Sequence, residues 1–179
     1  MRPMRKAGIK CMRGVLLLVV VCALNGCDMI AYRKYKNYEK QFSILLPRSW
    51  QEAKDIKAVI LVKAPPDRPD DKFQENINVM VTALPAKVSL ETFVDYNREE
   101  LLRVMPKATD MKEQSVYNSL LPGRMLSFNN DVDGMELRVL SGVWIKENRI
   151  YVVTCVGETK KIKRYLPIFN YVMRSLRVM

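Results

Sequence analysis

The residues able to do chemistry in this chain are few, and their types already exclude much. There is no histidine among the 179 residues, and there are 4 cysteines. Without histidine, the Ser-His-Asp and Cys-His nucleophile systems have no base, and His-ligated zinc has no ligand. Carboxylates and a Ser-Lys pairing remain, so hydrolysis by those groups is the enzymatic route left open. Two acidic loops have the look of cation ligands: Asp67, Asp70 and Asp71, and Asp131 and Asp133 with Gly134. The second lacks the remaining ligands and distal Glu of a full calcium loop, and a solvated hairpin turn accounts for it. No glycine-rich phosphate loop is present. No catalytic, metal or cofactor residue is therefore assigned. The reactive group that the pattern does single out is the thiol of Cys27, where Leu24-Asn25-Gly26-Cys27 closes an apolar run.

The segments around that thiol give it a role. Arg2, Arg5, Lys6, Lys10 and Arg13 come first, then an unbroken apolar run from Val15 to Leu24, with no acid before Asp28. A basic start, a short apolar core and a small residue before the cut are the parts of a secretory signal peptide. The run is too short to span a bilayer, which takes about 20 apolar residues. The chain divides accordingly into a signal segment 1–26, a basic and aromatic tether 27–40, and one domain over 41–179, long enough to bury a core of its own. Five of the 30 cations and none of the 19 acids lie in the signal, so residues 27–179 carry a net charge of +6. That modest excess argues against nucleic-acid binding and favours attraction to anionic lipid.

Leu24, Gly26 and Cys27 resemble the signal of bacterial lipoproteins. The resemblance implies cleavage before Cys27, diacylation of its thiol and acylation of its amino group. Two or three chains hold a protein firmly, where one gives marginal binding. The partner so implied is the lipid bilayer through acylated Cys27, in the bacterial cell envelope. Asp28 resembles the retention signal of enteric bacteria, which favours the periplasmic face of the inner membrane. Cys11 and Cys22 leave with the signal. Cys155 then stands without a disulfide partner, and it reads as a small buried hydrophobe. In the tether, Tyr32, Tyr35 and Tyr38 alternate with Arg33, Lys34, Lys36 and Lys40. This is either a solvated linker or a collar in the headgroup zone.

Periodicity sketches the domain. Strands are expected over 42–46, 58–63, 76–84, 109–117, 124–128, 135–145 and 150–157, with the last apolar on both faces and so central. Turns are expected at Leu121-Pro122-Gly123, over 129–134 and over 146–149. Trp50 is expected to pack on the sheet. Leu90, Phe93, Val94, Leu101 and Val104 recur at helical spacing after the N-cap candidate Ser89, with Glu99 and Arg103 placed for an ion pair. A second helix carries Tyr165, Phe169, Val172 and Leu176 on one stripe, and Pro167 places its start near Arg164. Lys160, Lys161, Lys163 and Arg164 ahead of it read as a solvated basic face. The expected fold is α+β, an antiparallel sheet sandwiched between two helices.

The order of these elements, with Phe42 to Trp50, Asp71 to Val79 and the closing Ser175-Leu176, resembles the PsbP-like superfamily over roughly 41–178. The bacterial lipoprotein branch of the DcrB type fits best, because Cys27 precedes the domain. Metal binding in plant members relies partly on histidine, so no metal site carries over. The resemblance implies a non-enzymatic protein-binding or assembly module of the envelope, with an envelope protein as partner. The alternatives are an envelope hydrolase using carboxylates or serine, and a carrier of a small apolar ligand. The carrier requires a sizeable apolar cavity between helix and sheet.

Overall fold

The structure, a computed structural model, describes residues 30–179. The signal segment 1–26, Cys27 and the start of the tether lie outside the described residues.

Strand β9 (Arg149–Glu158) lies at the middle of a seven-stranded antiparallel sheet ordered β3-β4-β5-β9-β8-β7-β6. Its neighbours are β5 (Asn76–Ala83) and β8 (Met135–Lys146). The flanks are β3 (Gln51–Ala53) and β4 (Ile60–Lys63) on one side, β6 (Thr109–Asn118) and β7 (Leu121–Val132) on the other. Register aligns Val79, Val153, Gly142 and Met125 in one row and Ile77, Cys155 and Leu140 in the next. Because side chains alternate along a strand, these rows share one face. That face is dry: Val79, Val153 and Cys155 are fully buried.

Two elements cover it side by side. One is α2 (Ile162–Ser175), whose Tyr165, Phe169 and Val172 are buried together with the C-cap Leu176, as their spacing predicts. The other is a small sheet of β1 (Tyr32–Asn37), β2 (Phe42–Pro47) and β10 (Arg177–Val178), ordered β1-β2-β10. Phe42 reaches Tyr151 of the large sheet edge-on at 6.3 Å. Trp50 packs against α2 aromatics, edge-on to Tyr165 at 6.1 Å and to Phe169 at 6.3 Å. Helix α1 (Leu90–Val104) lies on the opposite face. The expected antiparallel sheet between two helices is present, with a small second sheet added to one layer.

Several local expectations are corrected. Residues 32–37, read as tether, form β1, paired with β2 from Tyr32↔Pro47 to Asn37↔Phe42. Alternating polar and aromatic residues suit an edge strand as well as a linker, and Tyr35 turns inward onto Phe42 at 5.9 Å. The turn placed at Leu121-Pro122-Gly123 falls earlier, at Ser119-Leu120: Ser119 takes the positive φ of 58°, and Leu121 already pairs with Asn118. Residues 129–132 remain in β7, and the turn is Asp133-Gly134, both with positive φ. Helix α2 starts at Ile162 instead of Arg164, because its first turn is bonded i to i−3, as in Arg164 N–H to the Lys161 carbonyl at 3.0 Å. Pro167 thus lies inside the helix, in its second turn, instead of the first turn expected for it. Strands β3 and β10 are too short for periodicity to show. Arg103 pairs with Glu100 at 2.6 Å, not with Glu99.

Trp144 explains two glycines. A Cβ on Gly123 would lie 2.4 Å from its Nε1, and one on Gly142 would lie 2.4 Å from its Cη2. The indole is fully buried and has nowhere to move. Gly123→Ala and Gly142→Ala are each expected to cost about 1–3 kcal/mol of stability by overpacking. Urea unfolding measures this, and an unchanged midpoint in both variants would mean the indole does not occupy that seat.

Candidate functional site

Helix α1 starts where Ser89 Oγ accepts the Thr92 N–H at 3.0 Å and ends ahead of Pro106. It carries the apolar stripe expected of it, yet of that stripe only Val94 is buried; Phe93 and Leu101 are half-exposed and Val104 is 61% exposed. The reason is position. The helix packs chiefly on β7 and β8, and covers the facing side chains of β5 and β9 less closely. Between them runs a groove of about 590 Å³, floored by Met80, Leu126, Val143 and Val152 and walled by Phe93 and Leu101. The hydroxyls of Thr82, Ser141 and Thr154 are the polar groups within the floor. Its size falls in the range of about 300–1,000 Å³ typical of small-ligand sites, and its lining is mostly apolar, as such sites are.

The rim is charged and self-paired. Arg98 of α1 reaches Glu113 of β6 at 3.0 Å, and Arg124 of β7 reaches Glu91 of α1 at 3.5 Å. Arg124 also donates to Ser115 Oγ at 2.6 Å. These pairs are substantially solvated, and such pairs contribute about 0–1 kcal/mol each. Helix α1 is therefore fastened by weak clamps instead of by deep burial.

The first acidic loop and the basic run come together at a second place, as ion pairs. Lys161 Nζ stands 3.0 Å from Asp67, 3.2 Å from Glu158 and 3.3 Å from Asp71. Arg164 also holds Asp67, at 3.0 Å. The solvated reading of the basic run thus fails for Lys161, whose side chain is 21% exposed, and holds for exposed Lys163. Burial works against its charge, but hydrogen bonds to Asp67, Glu158 and Asp71 outweigh it and raise its pKa. Asp70 stays outside, near Arg68. Asp131 Oδ1 accepts the Gly134 N–H at 3.0 Å and so serves the turn. Among the described residues no group of His, Cys, Asp or Glu has the geometry to hold a metal ion.

Glu75 lies behind this cluster at 1% exposure, with Oε1 unpartnered. Burial raises its carboxyl above the usual range, offset in part by backbone hydrogen bonds and Lys161. Tyr165 is pushed up to about 12 by burial and then by the charges of Glu75 and Asp67. Cys155 is wholly buried and its thiol is driven up by desolvation, so it packs as the small hydrophobe expected and does not react. Neither Glu75 nor the Lys161 cluster was legible beforehand, since no spacing joins residues 67–75 to 158–164. The groove had one sequence signal: apolar residues on the second face of β8 and β9 exceed what one short helix can cover.

No family model matches the sequence, and none of the curated proteins matches it either. Solved structures do share its fold. The chain is similar to the cyanobacterial PsbP of Synechocystis sp. PCC 6803, at 14% identity and a TM-score of 0.66, over 86% of this chain and 96% of that one. It is also similar to LpqN of Mycobacterium tuberculosis, a protein involved in cell envelope biogenesis, at 9% identity and a TM-score of 0.59, over 77% and 83%. A protein of unknown function and putative regulator from Pseudomonas aeruginosa matches at 14% identity and a TM-score of 0.55, over 83% and 97%. At these identities the likeness is one of fold, and the fold is PsbP-like.

The buried carboxylate makes a signed prediction. A carboxyl with a raised folded pKa contributes stability that is present below its unfolded pKa and lost as pH rises through the folded one. Glu75→Gln is expected to leave stability unchanged in acid and to raise it at neutral pH, because the neutral amide avoids burying a charge. Asp71 runs the other way. The Asp67 N–H and then Lys161 lower its pKa, so its contribution is present above its unfolded pKa and lost as pH falls. Urea titrations in acid and at neutral pH measure both. A Glu75→Gln protein less stable at neutral pH would show Glu75 to be a net stabilising partner of Lys161.

Proposed function

We propose that the chain is a non-enzymatic binding module of the bacterial cell envelope, held to the membrane by lipid on Cys27, and that its working part is the groove beneath α1. The ligand is an apolar chain of small-molecule size, such as an acyl chain. One observation carries this reading: an apolar groove of about 590 Å³ lies between helix and sheet, with its helix weakly held. The envelope assignment is supported by the signal-like pattern that ends at Cys27 and by the fold shared with an envelope protein. Among the described residues no helix is long and apolar enough to cross a membrane. A separate anchor is consistent with that.

The reading is non-enzymatic because the groove offers no pair of converging carboxylates and the chain has no histidine. The carboxylates that do converge surround Lys161, outside the groove. Weak clamps suit a carrier, since a loosely held α1 lets the groove widen around a ligand.

Two experiments test this. N-phenylnaphthylamine fluorescence is expected to rise on binding the purified protein, with Val143→Arg and Val152→Arg each weakening binding about tenfold or more while melting is little changed. Equal binding by all three proteins would place the probe elsewhere and remove the reading. Separately, a labelled palmitate analogue is expected in wild type and not in Cys27→Ala. Equal incorporation in both would remove the anchor.

A further inference from the structure

One outward face of the structure carries cations and aromatic rings without acids. Tyr32, Lys34 and Lys36 alternate along β1 and so share a side, opposite to Tyr35, which packs inward on Phe42. Lys34 pairs in register with Leu45, and Lys36 with Ser43. Ser43 in turn pairs with Arg177 of β10. The last turn of α2 closes the surface: the Leu45 N–H donates to Ser175 Oγ at 2.9 Å, and the Tyr171 ring meets Tyr32 at 4.4 Å between centroids. Lys34, Tyr171, Arg174 and Arg177 converge on one shallow concavity that no carboxylate lines. Lys34, Lys36, Arg174 and Arg177 are all exposed. None of the four has a carboxylate within ion-pair distance among the described residues, whereas nearby Arg33 is taken by Glu52 at 2.6 Å.

Helix-end electrostatics explains part of this. Arg174 in the last turn complements the negative end of α2, and Arg177 donates to the carbonyls of Arg174 and Leu176 at 2.7 and 2.8 Å. It does not explain Lys34 and Lys36, which lie on a strand and serve no helix. It does not explain the exposed Tyr171 ring beside them, which is 47% exposed.

Chain length supplies the second argument. Strand β1 begins at Tyr32, five residues after Cys27. Five residues reach at most about 18 Å when fully extended. A lipid on Cys27 would therefore keep the start of β1, where this face begins, within about two Debye lengths of the headgroups at physiological salt. We propose that the face formed by Tyr32, Lys34, Lys36, Tyr171, Arg174 and Arg177 lies on an anionic bilayer, so that the lipid anchor and the folded body contact the membrane together. Cations near an anionic surface and Tyr rings at headgroup depth are the chemistry such a contact needs. The orientation rests on the Cys27 anchor proposed above; the charge pattern stands without it.

The test uses the full Cys27→Ala chain and cosedimentation with vesicles of phosphatidylcholine alone or containing phosphatidylglycerol. Residues 1–26 are common to every protein compared, so differences report the face. Lys34→Glu, Lys36→Glu and Arg174→Glu together are expected to weaken partition onto anionic vesicles about tenfold or more. Lys72→Glu, Lys87→Glu and Lys107→Glu together, the same charge change on exposed cations elsewhere, are expected to weaken it by less than about threefold. Arg177 is spared because it caps α2, and single Arg174→Glu gives the same ordering if the triple variant does not fold. Equal losses in the two triple variants, or no loss in either, would overturn the proposal. The acylated wild-type chain is expected to bind neutral vesicles in all backgrounds. Failure there with the ordering intact on anionic vesicles would remove the anchor and leave the face; binding there with the ordering lost would do the reverse.

Discussion

Everything in this structure depends on how α2 is enclosed. Its apolar stripe of Tyr165, Phe169, Val172 and Leu176 needs cover from two directions, since a helix that buries such a stripe is stable only against other elements. The dry face of the large sheet gives one surface and β2 gives the other. Burying each of these side chains contributes about 1.5–3 kcal/mol. The helix end is satisfied from both sides as well. Asn118 of β6 donates to the Met173 carbonyl at 2.8 Å, and Ser175 links the Val172 carbonyl to β2. That cover recruits residues 32–37 into the fold, because β2 carries β1 along its outer edge.

Enclosing α2 leaves the large sheet unequal on its two faces. The side chains that suit a dry interior are Val79, Val153, Cys155 and Trp144, and all of them point toward α2. The other face has Thr82, Ser141 and Thr154 among its valines and one helix to cover it. Helix α1 leans on two strands and ties to the rim by solvated ion pairs. The groove follows from that mismatch: apolar surface on β5 and β9 extends past the helix that shields the rest.

This explains what was legible in advance and what was not. The stripe on α2, the central place of β9 and the N-cap at Ser89 are local signals, with a period of 3.6, a period of 2 and a hydroxyl before an apolar run. Each appears where expected. The failures are tertiary. Tyr32 to Asn37 has the composition of a solvated tether, and only pairing with β2 makes it a strand. Lys161 belongs to a run that reads as solvated until Asp67 and Asp71 arrive from roughly ninety residues away. Pro122 and Gly123 spell a turn, yet Gly123 is in a strand because the Trp144 indole needs its missing Cβ. In each case a distant side chain overrides a sound local preference.

The two surfaces left over differ in chemistry and lie on opposite sides of the large sheet. The cationic face belongs to the outer side of the β1-β2 layer, because Phe42, Ile44 and Leu46 point inward and Lys34 and Lys36 alternate away from them. The groove belongs to the α1 side. A body that rests on a bilayer by the first surface turns the second toward the aqueous space. On that proposal, a ligand in a groove so directed would exchange with the aqueous space and not with the bilayer beneath. The weak clamps between α1 and the rim then have a physical use. They face water, where solvation keeps ion pairs weak, and α1 packs on the face away from the enclosed helix on which the fold depends.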